Sequence, residues 1–178
     1  MKARGFTLIE LLVVVAMIAI VATLAAPSFQ QTIARQKVSV AASDLLGSAM
    51  QARSEAIKNN RQALVQPVVA GDWRQGWRIY VDIDKDKAYT DGIDLLITTV
   101  APLADNVVVD EVALNPAVGN LIGFDASGFL LGRNAGRVVF SSTLIPRTEL
   151  RKGIKVSITG RTRTCTSTPG SDGCAGAD

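Results

Sequence analysis

Residues 4–26 read Arg-Gly-Phe-Thr-Leu-Ile-Glu-Leu-Leu-Val-Val-Val-Ala-Met-Ile-Ala-Ile-Val-Ala-Thr-Leu-Ala-Ala. From Phe6 to Ala26, a run of 21 residues, the one charged side chain is Glu10. A helix rises ~1.5 Å per residue, so this run reaches about 30 Å, the depth of a bilayer's hydrocarbon core. It predicts a membrane span. Lys2 and Arg4 ahead of it predict a cytoplasmic N-terminus, with everything after Ala26 exported. A cleaved secretory signal has a shorter apolar core and small residues at its cleavage site, which Ala25-Ala26 could imitate. Glu10 argues against that alternative, because a carboxylate inside an apolar helix costs several kcal/mol unless it is paired or neutralised. It calls for a cationic partner.

Downstream, Pro27 removes a helix hydrogen bond and is expected to kink or loosen the turn before it. Val38, Ala41, Leu45, Ala49, Ala52 and Ala56 then recur at a period of 3.6, the mark of one buried helix face. That face is mostly Ala, so another backbone or a sheet can lie close. Asn59-Asn60 is the expected stop. From Arg61 the pattern changes to short β-type runs broken by Gly, Pro, Asn and Asp. The expected strands are 63–69, 76–83, 95–100, 107–112, 137–144 and 153–159, with a weaker hairpin around 124–129. One long helix followed by short strands predicts an α+β head, an antiparallel sheet wrapped on the exported half of the helix.

The 178 residues suit one domain, or one domain with an appendage, and 19 basic against 16 acidic side chains leave a formal charge of +3. No histidine is present. Imidazole acid/base chemistry, Ser-His-Asp and Cys-His nucleophilic sites and His-ligated metals are thereby excluded. No cofactor, no metal and no catalytic residue is expected, and the chain is not expected to be an enzyme. Cys165 and Cys174 flank a turn-rich stretch near the C-terminus. A disulfide closing that loop is the expected use, and it implies an oxidising compartment. Asp82, Asp84 and Asp86 alternate as calcium ligands do, yet Lys87 stands where the EF-hand loop has Gly and Ile93 where it has Glu. A solvated acidic turn is expected there, with calcium binding left open. Trp73 and Trp77 are read as core, with a stacking platform as the alternative.

Charge is uneven along the head. Asp72 to Glu111 is acidic, whereas Arg133 to Arg163 holds Arg133, Arg137, Arg147, Arg151, Lys152, Lys155, Arg161 and Arg163 against Glu149 alone. Such a block can meet phosphates, anionic lipid or an acidic neighbouring subunit, or can simply be a solvated edge.

The string Arg4-Gly5-Phe6-Thr7-Leu8-Ile9-Glu10 resembles the leader and processing site of type IV prepilins and type II secretion pseudopilins. Gly76-Trp77-Arg78-Ile79-Tyr80-Val81-Asp82-Ile83-Asp84-Lys85-Asp86 and Phe124-Asp125-Ala126-Ser127-Gly128 resemble the head of the GspH/FimT branch of pseudopilins and minor pilins. The resemblance implies a pilin-like fold. It also implies cleavage between Gly5 and Phe6 by a prepilin peptidase, N-methylation of Phe6, and assembly with other pilins or pseudopilins, Glu10 pairing with the Phe6 amine of a neighbour. The expected organisation is a leader at 1–5, a transmembrane and assembly helix at 6–26, its amphipathic continuation at 27–60, a β-rich head at 61–164 and a Cys-closed tail at 165–178. Gly160-Arg161-Thr162-Arg163, just before Cys165, resembles the C-terminal motif of FimT-type minor pilins, which implies DNA capture for natural transformation. Arg161 and Arg163 are the residues carried over, with Arg151, Lys152 and Lys155 as further contacts. The alternative is a purely structural GspH-type pseudopilin. The expected place is the inner membrane, single-pass, with the head in the periplasm. Type IV pilus and type II secretion are not separated by these residues, nor are single- and double-stranded DNA.

Overall fold

The computed structural model describes residues 6–175, apart from the side chains of residues 24–27. The chain divides into two compact units, Met1–Ile33 and Ala34–Asp178. Helix α1 is Leu8–Asn59. In the first unit the described side chains are exposed, Phe6 ahead of the helix at 86% and the Leu, Ile and Val residues of α1 to Val21 all largely so. Such a surface needs an apolar environment or an apolar partner. Thr23 donates its hydroxyl back to the Ile20 carbonyl at 2.7 Å, so this polar group is satisfied within the helix. By length and composition no single helix here is long and apolar enough to cross a membrane, whereas Leu8–Thr23 and Ser28–Asn59 pass that test together. The expected effect of Pro27 falls outside the described side chains, and α1 runs through the position.

In the second unit the predicted stripe is buried: Val38, Ala41, Leu45, Ala49, Ala52 and Ala56 all lie in the core, joined by Ala34, Ala42 and Ser48. α1 stops at the expected asparagines. Asn60 takes a left-handed φ of 51°, with Asn60 N–H donating to the Ile57 carbonyl at 3.3 Å and Arg61 N–H to that of Ala56 at 3.1 Å. This is the paired closure of a Schellman cap.

Among the described residues, nine strands form two antiparallel sheets. The first has the order β3 (Leu95–Val100), β2 (Asp72–Asp82), β1 (Gln62–Val69), β5 (Ile122–Phe124). The second has the order β4 (Val107–Ala113), β6 (Gly136–Ser142), β7 (Arg151–Val156), β8 (Thr162–Thr168), β9 (Ser171–Asp172). The helix stripe and side chains of both sheets, among them Val65, Trp77, Ile79, Val138, Phe140 and Ile154, make one hydrophobic core. Trp73 and Trp77 belong to it, 2% and 0% exposed, so the stacking alternative is excluded. The Trp77 indole N–H donates to Ser48 Oγ at 2.8 Å, while Ser48 donates to the Asp44 carbonyl at 2.7 Å. A small residue on the Ala stripe thus supplies the acceptor that a buried indole requires.

Three expectations are corrected. β2 begins at Asp72 rather than Gly76, because Gly76, at φ +81°, is accommodated inside the strand. A Cβ there would strike the Val100 and Ala101 backbone. The strand expected at 153–159 ends at Val156, where a turn closes as Gly160 N–H donates to the Ser157 carbonyl at 2.9 Å. The boundary expected at 165 between the head and the Cys-closed tail falls inside a strand: Cys165 lies in β8, hydrogen-bonded in register beside β7. Its Thr-rich sequence reads as low complexity, yet β-branched threonine suits a strand once a neighbour is available to pair with it.

Candidate functional site

At the start of α1, Thr7 and Glu10 cap the helix reciprocally. Thr7 N–H and Thr7 Oγ1 donate to Glu10 Oε2 at 3.0 and 2.9 Å, and Glu10 N–H donates to Thr7 Oγ1 at 3.3 Å. The Thr-x-x-Glu spacing of a capping box is the signal that reading Glu10 as a partner-seeking charge passed over. Phe6 is fully in view beside this cap, whereas Gly5, on the other side of the expected cleavage bond, lies outside the described residues. Lys2 and Arg4 lie outside them too.

The Asp82 loop is organised differently from the solvated turn expected. Asp82 is fully buried, accepting from Lys85 N–H at 2.7 Å, Lys87 N–H at 3.0 Å and the Gln62 amide at 2.9 Å. Asp94 accepts from Ile83 N–H at 2.9 Å and Thr90 N–H at 2.8 Å. Asp84 and Asp86 remain exposed, and oxygens of Asp82, Asp84 and Asp86 approach within 4.8 Å. Burial raises the Asp82 pKa, and the bonds from Lys87 and Lys85 oppose that shift. The two inner carboxylates therefore act as local scaffolding for the loop that leaves β2.

Several members of the basic block have partners inside the head. Arg137 pairs with Glu111. Arg147 reaches Asp110 at 2.9 Å, and Arg151 bridges Asp110 at 3.5 Å and Asp172 at 2.7 Å. The Ser167 hydroxyl, then Arg151, hold Asp172 below the usual carboxylate range. Lys152 donates to Ser39 Oγ at 3.1 Å, and Lys155, only 7% exposed, donates to the Ala175 carbonyl at 2.7 Å. Arg151, Lys152 and Lys155, expected as further DNA contacts, thus each have a partner within the head, Lys155 buried and the other two half-buried. Arg161 and Arg163 are exposed, and Thr162 between them is half-buried. Cys165 and Cys174 form the expected disulfide.

What sets Arg161 in place is a contact the sequence reading missed. Arg53 on α1 donates Nε to the Gly128 carbonyl at 2.9 Å and Nη2 to the Thr159 carbonyl at 3.2 Å. Gly128 closes a tight turn whose lead residue, Asp125, accepts from Ser127 N–H at 2.8 Å and Phe129 N–H at 3.1 Å. Gly160, at φ +78°, closes the turn before Arg161, and a Cβ on it would run into the Gly128 carbonyl and the Arg53 guanidinium. The Phe-Asp-x-x-Gly and Gly-Arg-x-Arg strings therefore meet in space, and Arg53 joins both to the helix. No spacing rule relates residues 53, 128 and 160, which is why pattern reading could not connect them.

A long N-terminal helix with a reciprocal cap at its start, carrying an antiparallel β head, defines a pilin-like protein. The chain belongs to the GspH family: residues 41–160 match the family described as Type II transport protein GspH. Residues 1–26 match the prokaryotic N-terminal methylation motif. No curated protein shows significant similarity to the chain. Among solved structures, the type IV minor pilin FimU of Pseudomonas aeruginosa is similar in one crystal form with TM-score 0.56 at 19% identity, over 72% of this chain and 88% of FimU. A second crystal form of FimU gives TM-score 0.53 at 18% identity, over 71% and 90%. The minor pseudopilin EpsH from the type 2 secretion system of Vibrio cholerae is similar with TM-score 0.50 at 14% identity, over 76% and 99%. At such identities these structures establish the fold. Family and motif together make the chain a minor pilin or pseudopilin with a membrane-anchored N-terminal helix.

Proposed function

We propose that this subunit is processed between Gly5 and Phe6, held in the inner membrane with its head in the periplasm, and assembled with other pilins or pseudopilins through Glu10. We further propose that its head binds DNA through Arg161 and Arg163. The observation that carries the DNA reading is the presentation of two exposed guanidinium groups at a corner fixed by the Arg53 contacts. Guanidinium forks match phosphate oxygens, and a rigid corner reduces the ordering cost of binding them.

Two phosphate contacts give weak, sequence-independent affinity, on the order of micromolar or weaker, with a log–log salt slope near −1.8. Raising salt from ~50 to ~200 mM should then weaken binding about 12-fold. The test is titration of labelled duplex against the wild type and against Arg161→Ala with Arg163→Ala at both salt concentrations. Equal binding by the two proteins removes these arginines from the mechanism. No binding by either at low salt leaves the second reading, a structural subunit of type II secretion, which the GspH family match and the pairing of most neighbouring cations favour.

A further inference from the structure

Two exposed apolar surfaces stand at the ends of one rung of the first sheet. Leu95 on β3 is in register with Val81 on β2, Val81 with Ala63 on β1, Ala63 with Phe124 on β5, and Phe124 with Leu130 through an isolated bridge. Neighbouring strands stand about 4.8 Å apart, so Leu95 and Leu130 are separated by about 19 Å, on opposite sides of the sheet and level along it. Beside Leu130, Ile57, Phe129 and Ile158 are between 40% and 51% exposed. They are neighbours: Ile57 lies against Gly128, the residue before Phe129, and Leu130 N–H donates to the Ile158 carbonyl at 3.0 Å. The surroundings are basic. The Arg133 guanidinium lies 6.0 Å from the Phe129 ring centre, and Arg161, exposed, follows the turn at Gly160. The nearby acids face inward, Glu55 onto Lys58 and Asn59, Asp125 onto the amides of its own turn.

At the other end of the rung, Ile93, Leu95 and Leu96 are between 43% and 52% exposed. Their surroundings are acidic. Asp84, Asp86 and Asp91 are exposed on the loop that leads into β3, and Asp82 to Asp105 holds six acidic residues against Lys85 and Lys87. β3 is outermost in its sheet, and Ile97 is skipped in the pairing with β2 where the register shifts. A bulge of this kind turns an edge away from strand pairing, so β3 offers a neighbour its side chains.

We propose that heads of this chain pack side by side, the β3 side of one copy against the Phe129 corner of the next. The occupant of each surface is a second copy, because apolar meets apolar and acid meets base. A second head set alongside the first, its strands running the same way, brings the two surfaces together. The contact is head-to-tail, so it leaves one surface open at each end of a row and continues into a ring or an open fibre. Apolar side chains bordered by arginine suit a protein partner, whereas a duplex backbone offers phosphate and sugar and covers none of Ile57, Phe129 and Ile158. This contact is additional to assembly through Glu10. It shares Arg161 with the DNA reading, which then applies to a corner that no further copy covers.

The test uses the full chain in membranes, with two differently tagged copies expressed together. One copy carries benzoylphenylalanine in place of Phe129, which keeps an aromatic side chain and forms a covalent bond to its neighbour on illumination. Mixed-tag dimers should form, and peptide mass should map the bond to residues 84–96 of the other copy. The same probe in place of Val69, exposed at the other end of β1, should give only the yield of random collision. Asp84→Lys, Asp86→Lys and Asp91→Lys together on the second copy should lower the mixed-dimer yield about 5- to 30-fold, as should Arg133→Glu with Arg161→Glu on the probe-bearing copy. Combining the two reversals should restore it, which also shows that each variant is folded. A Phe129 yield no higher than that from Val69, a bond mapped outside 84–96, or cross-linking only to a chain of different mass overturns the second-copy arrangement. Reversals without effect or without mutual rescue overturn the charge complementarity that carries it. No DNA enters the assay, so failure of the DNA reading leaves this result unchanged.

Discussion

Removing Arg53 tests whether one helix side chain holds both turns beneath Arg161. Arg53→Ala deletes a hydrogen bond to the Gly128 carbonyl at 2.9 Å and one to the Thr159 carbonyl at 3.2 Å. A hydrogen bond with one charged partner contributes about 1.5–3 kcal/mol. The second of these is solvent-exposed and competes with water, so the expected total loss is about 2 kcal/mol. A domain of this size loses about 2–4 °C of Tm per kcal/mol, which predicts a drop of about 4–8 °C. Domain stabilities near 5–15 kcal/mol leave such a variant folded at room temperature. Arg53→Lys is the informative companion. It retains the charge, but a single ammonium lacks the planar fork that reaches both carbonyls, so most of the loss should remain. Thermal unfolding followed by the buried tryptophans gives the Tm. Hydrogen exchange at residues 125–130 and 157–161 reports the turns directly, and should accelerate there while the β6–β7 ladder is unchanged. A Lys variant matching wild type in both measurements would refute the fork geometry, and an Ala variant melting within about 1 °C of wild type would refute the clamp itself.

Ser48→Ala leaves the Trp77 indole N–H buried without its 2.8 Å acceptor and should cost about 1–3 kcal/mol in chemical denaturation; a loss well below 1 kcal/mol contradicts that accounting. The pH dependence of stability should have two opposed segments about the ordinary aspartate value of 3.8. Asp82, raised mainly by burial, makes stability fall as pH rises from 3.8 through its folded value, whereas Asp172, lowered mainly by Ser167, contributes stability that is lost as pH falls below 3.8 through its own. Urea midpoints from pH 3 to 7 should lose the upper segment in Asp82→Asn and the lower one in Asp172→Asn, and persistence of both segments in both variants contradicts the assignment. For processing, the intact mass of membrane-extracted protein should correspond to a chain beginning at N-methylated Phe6, and loss of Lys2 and Arg4 from 19 basic residues against 16 acidic leaves a formal charge of +1. A mass beginning near Ser28 instead supports the cleaved-signal alternative. Glu10→Val should be processed yet fail to enter the fibre, and its normal incorporation contradicts the pairing with Phe6.

The sequence by itself determined the elements whose signals are local. The apolar run after Arg4-Gly5, the Ala stripe from Val38 to Ala56, the stop at Asn59-Asn60 and the strand at Leu95–Val100 all follow from periodicity, capping and turn chemistry within a few residues. Thr7-x-x-Glu10 was legible in the same way and needed only the capping rule. The arrangement of the candidate site was not legible. A list of eight basic residues does not tell which are spent on Asp110, Glu111 and Asp172 and which face solvent, because those partners arrive from other strands. Register decides that Arg137, Lys155 and Arg163 form one row, and a slip of one residue would send each to the opposite face. Register is in turn selected by burying Val138, Ile154 and Phe140 against the helix, a condition on the whole head and on no single segment of it. The burial of Asp82, the joining of Gly128 to Gly160 by Arg53, and the burial of Lys155 were decided at that level, where long-range packing brings together groups that no local spacing relates.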